Sequence, residues 1–503
     1  MLERRIQHQG LRDRVITAKE AQAWIKNGMT VGVSGFTKSG DAKAVLRALA
    51  DRVERTGEEL KINLYSGASL GETDTILAEH NLIARRLPYQ TNAQLRKSIN
   101  FGDVGYTDQH LSHTAELLRG GSLGEIDLAI IEATAITEDG GIVPTTSVGN
   151  SPIFVEKASK VIVEINVNIP EEFVGLHDIY LPNGRPNRTP IPLTNVRDRI
   201  GIPYIPCDPQ KIVGIVVSHY SDTPSSIVPP DAETERMAGY ILDLFEHEVR
   251  HGRLPSNLAP LQSGVGSVSN AVLSGLAASR FENLEIYTEV MQDAVFELFD
   301  AGKVSFASSS SLTLSDRAVD RIISSISQYR DKIILRPQEI SNHPEVVRRL
   351  GVIAINTALE FDIYGNVNST HVRGTHMMNG IGGSGDFARN AGLTIFVTKS
   401  SAKDGRISSV VPFASHIDHT EHDVDVIVTE RGIADLRGLT PRERAKTIIQ
   451  NLAHPMYQDE LLDYFKRAER RGGHTPHILE EALSWHTRFA ETGDMRNWSL
   501  VHA

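Results

Sequence analysis

The chain has 503 residues, 40% of them AVILMFWYC and 40 of them glycine, an ordinary globular composition that excludes disordered, collagenous and coiled-coil classes and has room for two to four domains. A formal net charge of −11 argues against a nucleic-acid binder that works by neutralising phosphates. The single cysteine, Cys207, excludes an internal disulfide framework and a cysteine-cluster metal site, and no apolar run approaches the roughly 18 residues of a membrane helix.

The N-terminal segment MLERRIQHQGLRDRV has no apolar core of a secretory signal. It is rich in arginine, but Glu3 and Asp13 interrupt it, so a cytoplasmic location is expected, with a mitochondrial address as the alternative. Ala18–Lys26 carries apolar residues at helical spacing. Thr30–Val33 reads as a buried strand running into the turn SGF, followed by a helix from Ala42 to Thr56, a strand Lys61–Tyr65 and a second turn, SGAS. Strands recur at Leu128–Glu132, Val161–Asn166 and Ile212–Val217. Short apolar runs alternating with helices predict a parallel sheet covered on both faces.

The segment 221–231, SDTPSSIVPPD, has linker composition. It divides the chain into an N-terminal α/β domain, 1–220, and a C-terminal α/β domain, 232–503. After it come a helix Glu233–His251, a glycine turn at Gly264–Gly266, a helix Asn270–Ala278, a strand Leu284–Val290 and a helix Met291–Ala301. Further strands are expected at Lys332–Leu335, Val352–Asn356, Leu393–Val397 and Val424–Thr429. Thr440-Pro441-Arg442-Glu443 is a capping box with proline at the first helical position.

Four segments could carry chemistry. Gln262–Val268, QSGVGSV, sets glycines before a helix, where backbone N–H groups and the helix terminus favour an anion; a plain strand–helix turn explains it equally well. Alternation along 284–290 puts Glu289 at the carboxyl end of a strand, where open α/β sheets bind ligands and where a carboxylate serves as nucleophile or base. Met378–Phe387, MNGIGGSGDF, spends four glycines in six positions, as a loop that wraps a ligand or builds an oxyanion hole does. His416–Asp423, HIDHTEHD, has conceivable metal spacing but not the i, i+4 pairing of common zinc sites; a polar rim loop is the favoured reading, and no metal is expected. The dinucleotide fingerprint, the P-loop and the G-x-S-x-G elbow are absent.

QSGVGSVSNAV, FENLEIYTEVMQD, MMNGIGGSGDFARN and SSAKDGRISSVVPFASHIDHTEHD, in that order, resemble the acetyl-CoA hydrolase/transferase family of class I coenzyme A transferases, as do IEATAITEDGGIVPTTSVGNS and LRGLTPRERA. The resemblance runs along nearly the whole chain and lies nearest to succinyl-CoA:acetate CoA-transferases. It implies two related open α/β domains and transfer of coenzyme A between a short-chain acyl-CoA and a carboxylic acid, with thioester hydrolysis and a non-catalytic coenzyme A-binding module as alternatives. It also implies a catalytic Glu289, an oxyanion hole from the backbones of Val265 and Gly383, and polar roles for Ser69, Asn342 and Glu430. Gly264, Val265, Gly266, Ser267, Val268, Asn379, Gly383 and Lys403 match positions that contact coenzyme A. No tightly bound cofactor, no nucleic acid and no membrane is implied; acyl-CoA and small carboxylates are the expected partners, in a homodimer.

Two departures stand out. Relatives read G-F-T-x-A-G-x-P-K near the start, whereas this chain reads Gly35-Phe36-Thr37-Lys38-Ser39-Gly40-Asp41-Ala42-Lys43. Relatives also carry arginine in the segment joining the domains, and here none occurs between Arg199 and Arg236.

Overall fold

The computed structural model describes residues 2–226, 229–264 and 266–496. They form two compact units, each made from two stretches of chain: 2–226 with 283–350, and 229–282 with 351–496. The chain thus leaves the first unit within the segment read as a linker, and it returns for 283–350. A linear division into 1–220 and 232–503 does not contain this return, and the stretch bearing Glu289 sits in the first unit. The reason is in the pairing. Val148 N donates to Ser310 O at 2.9 Å, Leu312 N to Thr146 O at 2.9 Å and Asp178 N to Leu335 O at 2.9 Å, which ties the returning segment to the N-terminal one.

The first unit contains a seven-stranded sheet of β1 (Thr30–Val33), β2 (Ile62–Tyr65), β3 (Ile83–Leu87), β4 (Gly105–Tyr106), β5 (Ile126–Ala133), β6 (Ala158–Asn166) and β7 (Ile212–Ser218). Every pair is parallel and the order is β4-β3-β2-β1-β5-β6-β7. β5, IDLAIIEA, is buried at every position except Asp127, as a central parallel strand covered on both faces must be. The helix Ala44–Thr56 buries Val45, Leu46, Leu49 and Ala50 and stops at Gly57, whose φ of 66° supplies a left-handed cap. Its N-terminus is held by a buried carboxylate from β6: Glu164 accepts from the backbone N–H of Lys43, Ala44 and Val45 at 2.9, 2.9 and 2.7 Å. The order of strands reverses between β1 and β5. Ligands bind at such a switch point, outside the carboxyl ends of the strands, and the loop after β1 is Ser34–Lys43.

The returning segment adds a second parallel set, Leu284–Tyr287 beside Val304–Ser309 beside Ile333–Leu335. The expected strand Leu284–Val290 is broken. Pairing stops at Tyr287 and resumes at Val290–Met291 against Ser311–Leu312.

The second unit is built on the parallel strands Leu261–Ser263, Ile353–Thr357, Leu393–Val397 and Val426–Thr429, with Gly432–Asp435 folding back antiparallel at the edge. Its core joins Phe361, Tyr364, Phe396 and Ile427 to Ile448, Tyr457 and Trp485 from the C-terminal helices. Thr440 closes the expected capping box, its backbone N–H donating to Glu443 Oε2 at 2.8 Å. Among the described residues no helix is long and apolar enough to cross a membrane.

Candidate active site

Glu289 stands in the break between two short strands. Its backbone is fixed there, because its carbonyl accepts from the N–H of Ser310 at 3.0 Å and of Ser311 at 3.2 Å. The side chain is half-buried. It keeps a face toward solvent, while the protein packed around the carboxyl desolvates it and raises its pKa above the ordinary carboxylate value. The side-chain amide of Asn342 opposes that shift by donating to Glu289 Oε2 at 2.8 Å.

Asn342 ends a single helical turn, Gln338–Ser341, that is anchored on several sides. Gln338 N donates to Gly149 O at 3.0 Å and its Nε2 to Leu111 O at 2.9 Å. Arg119 grips Glu339 in a bidentate pair at 3.1 and 3.0 Å. Tyr287, fully buried, donates its hydroxyl to Ile340 O at 2.6 Å. The amide that meets Glu289 is therefore held in place before any ligand arrives, the condition under which a polar contact aids a reaction most.

Val290, next to Glu289, packs against Phe36, Ala68 and Leu111. This contact brings the loops after β1 and β2 to the glutamate. Ser69 lies in the second of them, buried, with its Oγ unpartnered among the described residues and its carbonyl accepting from Lys38 N at 2.9 Å. Glu289, Asn342 and the Ser69 loop thus converge within the first unit. No sequence pattern marks Gln338, Tyr287 or Asn150, whose Nδ2 donates to Ser66 O at 3.1 Å. Only the run TTSVGNS around Asn150 carried a signal.

Asp41 has a structural place. It is wholly buried, accepts from the Thr73 hydroxyl and lies 3.0 Å from Lys43 Nζ, which also reaches Glu132 at 3.4 Å and Asp222 at 3.1 Å. Burial and the neighbouring acids Asp222 and Asp41 push Glu132 up to about 8, against the pull of Lys43.

The remaining expected residues belong to the second unit, save Val265, which lies outside the described residues. Gly264 leaves the strand Leu261–Ser263 with its N–H on Ile355 O at 3.1 Å. Gly266 caps the helix Ser267–Ala278, and Ser267 and Val268 open its first turn, all three partly exposed. Gly383 caps the short helix Ser384–Ala388, which packs on the strands Ile353–Thr357 and Leu393–Val397. Gly380 and Gly382 before it have φ of 142° and 59°. Asn379 is partly exposed and Lys403 exposed, the latter's Nζ 5.6 Å from the centre of the Phe489 ring. Glu430 is buried and holds the turn at Ser400, accepting from its backbone N–H at 2.7 Å and from its hydroxyl, three residues before Lys403.

The histidine run folds as a loop. His419 stacks on Phe396 with ring centres 4.8 Å apart and meets the hydroxyls of Ser369 and Ser384. His416 stacks on His371 at 3.8 Å. Among the described residues no group of three or more His, Cys, Asp or Glu is arranged to hold a metal ion.

Family models match in two blocks: the acetyl-CoA hydrolase/transferase N-terminal domain over residues 1–217 and the C-terminal domain over residues 320–465. The chain is 52% identical to a succinyl-CoA:acetate CoA-transferase of Clostridium kluyveri, over 98% of this chain and 92% of that one. It is 46% identical to an acetyl-CoA hydrolase of Schizosaccharomyces pombe, over 99% of each. In fold it is similar to the crystal structure of RipA from Yersinia pestis, with a TM-score of 0.68 and 24% identity over 91% of this chain and 97% of that one. Two family models in the right order, and a relative about half identical along nearly the full length, establish that the chain belongs to the acetyl-CoA hydrolase/transferase family of enzymes.

Proposed function

We propose that the protein transfers coenzyme A between a short-chain acyl-CoA and a small carboxylate, with Glu289 as the nucleophile. The observation that carries the reading is the Glu289 carboxylate itself: half-desolvated, open on one face and oriented through Oε2 by a buried amide. A carboxylate suits this chemistry. Attack on the thioester carbonyl gives a mixed acyl–glutamyl anhydride and releases the coenzyme A thiolate. The thiolate then attacks the glutamyl carbonyl, forming a Glu289–CoA thioester and freeing the acid. A second carboxylate runs the two steps in reverse. Thioester energy is conserved throughout, so no phosphoanhydride is consumed.

Each addition passes through a tetrahedral oxyanion. Backbone N–H groups of Val265 and Gly383 are the proposed donors, and losing one such donor costs about 2.7–4 kcal/mol. The helix terminus at Gly266–Val268, together with Asn379 and Lys403, is proposed to hold the coenzyme, whose distant contacts supply binding energy used at the reacting centre. Lys403 suits phosphate charge. Ser69, buried with a free hydroxyl, is proposed to contact the acyl group. Glu430 serves the site by fixing the Ser400 turn. The proposal includes a cytoplasmic homodimer with no tightly bound cofactor.

Hydrolysis is the second reading, favoured by the solvent-reachable face of Glu289 and by the hydrolase among the relatives. A matrix of acyl-CoA donors against acetate, propionate and succinate, run beside a control without acceptor, separates the two. Transfer gives ping-pong kinetics and slow release of free coenzyme A in the control. Release as fast without acceptor as with the best one makes the protein a hydrolase.

A further inference from the structure

Phe36 and Ser39 exchange backbone hydrogen bonds at 2.9 and 3.2 Å, closing a two-residue turn with Thr37 and Lys38 at its corners. Their φ angles are 49° and 68°. Such a turn needs positive φ at both corners and is usually made by Asn-Gly; a threonine and a lysine there are strained. Strain of this kind persists where the surroundings enforce it, and it clusters at ligand sites. The enforcement is visible: Thr313 Oγ1 donates to Thr37 O at 3.2 Å, and Lys38 N to Ser69 O at 2.9 Å.

The turn follows β1, at the reversal point of the seven-stranded sheet. Phe36 touches Val290, the neighbour of Glu289, and Lys38 is within about 7 Å of chain from Phe36. The Lys38 side chain lines a pocket of about 440 Å³ with Thr75, Thr91, Asn92 and Thr223. Two acids also border it, and both are already paired, Glu72 with Arg47 and Asp74 with Arg86. The Lys38 ammonium makes no ion pair or side-chain hydrogen bond among the described residues, and it is half-buried. A half-buried cation with no ion-pair partner of its own among the described residues, beside two acids already neutralised by arginines and the polar groups of Thr75, Thr91, Asn92 and Thr223, is suited to a small anionic group.

We infer that Lys38 binds the distal carboxylate of a dicarboxylic acyl group while the proximal carboxyl reacts at Glu289, so that it sets the preference for a dicarboxylate over a monocarboxylate substrate. The inference rests on the functional reading above. Its chemistry is a salt bridge to a half-buried ammonium, stronger than the same pair in open solvent. A monocarboxylate of two or three carbons has nothing to offer it.

The test uses the full chain as wild type, Lys38→Gly and Lys38→Arg. Glycine relieves the positive φ, so Lys38→Gly keeps the turn while removing the side chain with its charge, and Lys38→Arg restores the charge; the melting temperature of Lys38→Gly is expected to equal or exceed that of the wild type. With acetyl-CoA as donor, kcat/KM is measured for succinate and for acetate, the latter by exchange of labelled acetate. The expected result is a succinate-to-acetate ratio lowered at least tenfold in Lys38→Gly, through KM for succinate, and kept within threefold in Lys38→Arg. An unchanged ratio in Lys38→Gly overturns the inference. So does a wild type that does not accept succinate. An equal rise in KM for acetyl-CoA in both arms also overturns it, because the anion met by Lys38 is then a phosphate of coenzyme A. Absence of acetate exchange in the wild type marks failure of the functional reading itself, and is read before the variants are compared.

Discussion

Asn342 donates to Glu289 across 2.8 Å, and the donor sits on a helical turn pinned by Tyr287, Gln338 and Glu339. The amide favours the ionised carboxylate and partly offsets the burial that raises its pKa. Replacing Asn342 with alanine therefore raises the Glu289 pKa further. The nucleophile is the ionised form, so the acid limb of kcat/KM against pH moves to higher pH. Activity falls more at pH 5–6 than at pH 8–9. A hydrogen bond to a charged group contributes about 1.5–3 kcal/mol, so the loss near neutral pH is about 10–100-fold. A uniform fall at every pH would mean Asn342 only supports the fold.

Gly383 has φ of −91°, a conformation that any residue adopts, so Gly383→Val leaves the backbone path open and crowds the loop with a branched side chain. Valine keeps the N–H, but its side chain forces the thioester away from it, so kcat falls by as much as the loss of one donor, about 10²–10³-fold, with the circular dichroism spectrum unchanged. A rise in KM alone would assign the loop to uniform substrate binding.

Lys43 is the cation that the buried Asp41 and Glu132 and the partly buried Asp222 share among the described residues. Lys43→Met leaves two buried acids, Asp41 and Glu132, and the partly buried Asp222 without it. Breaking a buried pair from one side costs about 3–5 kcal/mol, which lowers the urea midpoint and widens the gap to wild type as pH rises and Glu132, pushed up to about 8, is forced to ionise. The sign follows from linkage: a carboxyl with a raised folded pKa contributes stability at low pH and loses it as pH climbs through that value. A midpoint equal to wild type at pH 7 would contradict the geometry.

Much of the fold was legible because parallel strands advertise themselves as short apolar runs. Thr30–Val33 and Leu393–Val397 match the sequence to the residue and the other expected strands to within a few residues, but Ile83–Leu87, Leu261–Ser263 and Val304–Ser309 were not expected. The helices Gly71–Glu79 and Ala93–Phe101 were not read. GETDTILAE has no clear apolar stripe, and AQLRKSINF buries only Leu95. Ala18–Lys26 reads as one helix by spacing, yet the α-helix spans only Ala18–Ala21 and tightens to a 3₁₀ turn at Gln22–Trp24. The return of 283–350 to the first unit was invisible, because pairing between distant strands leaves no local periodicity. The break after Tyr287 was hidden too: alternation continues through Thr288 and Glu289 although the regular strand pairing does not. Asn342 and Ser69 entered through resemblance alone. A lone asparagine after a four-residue helix, or a serine in a turn, has no pattern to mark it.

The account turns on Glu289 carrying coenzyme A, and trapping that adduct tests it most directly. The protein is incubated with acetyl-CoA without acceptor, quenched with borohydride or hydroxylamine, digested and mapped by mass spectrometry. The account predicts modification of the peptide FENLEIYTEVMQD at Glu289, abolished in a Glu289→Ala variant that still folds. Modification at another carboxylate, Glu360 or Glu430 among them, or an unmodified protein that still turns over, would contradict it.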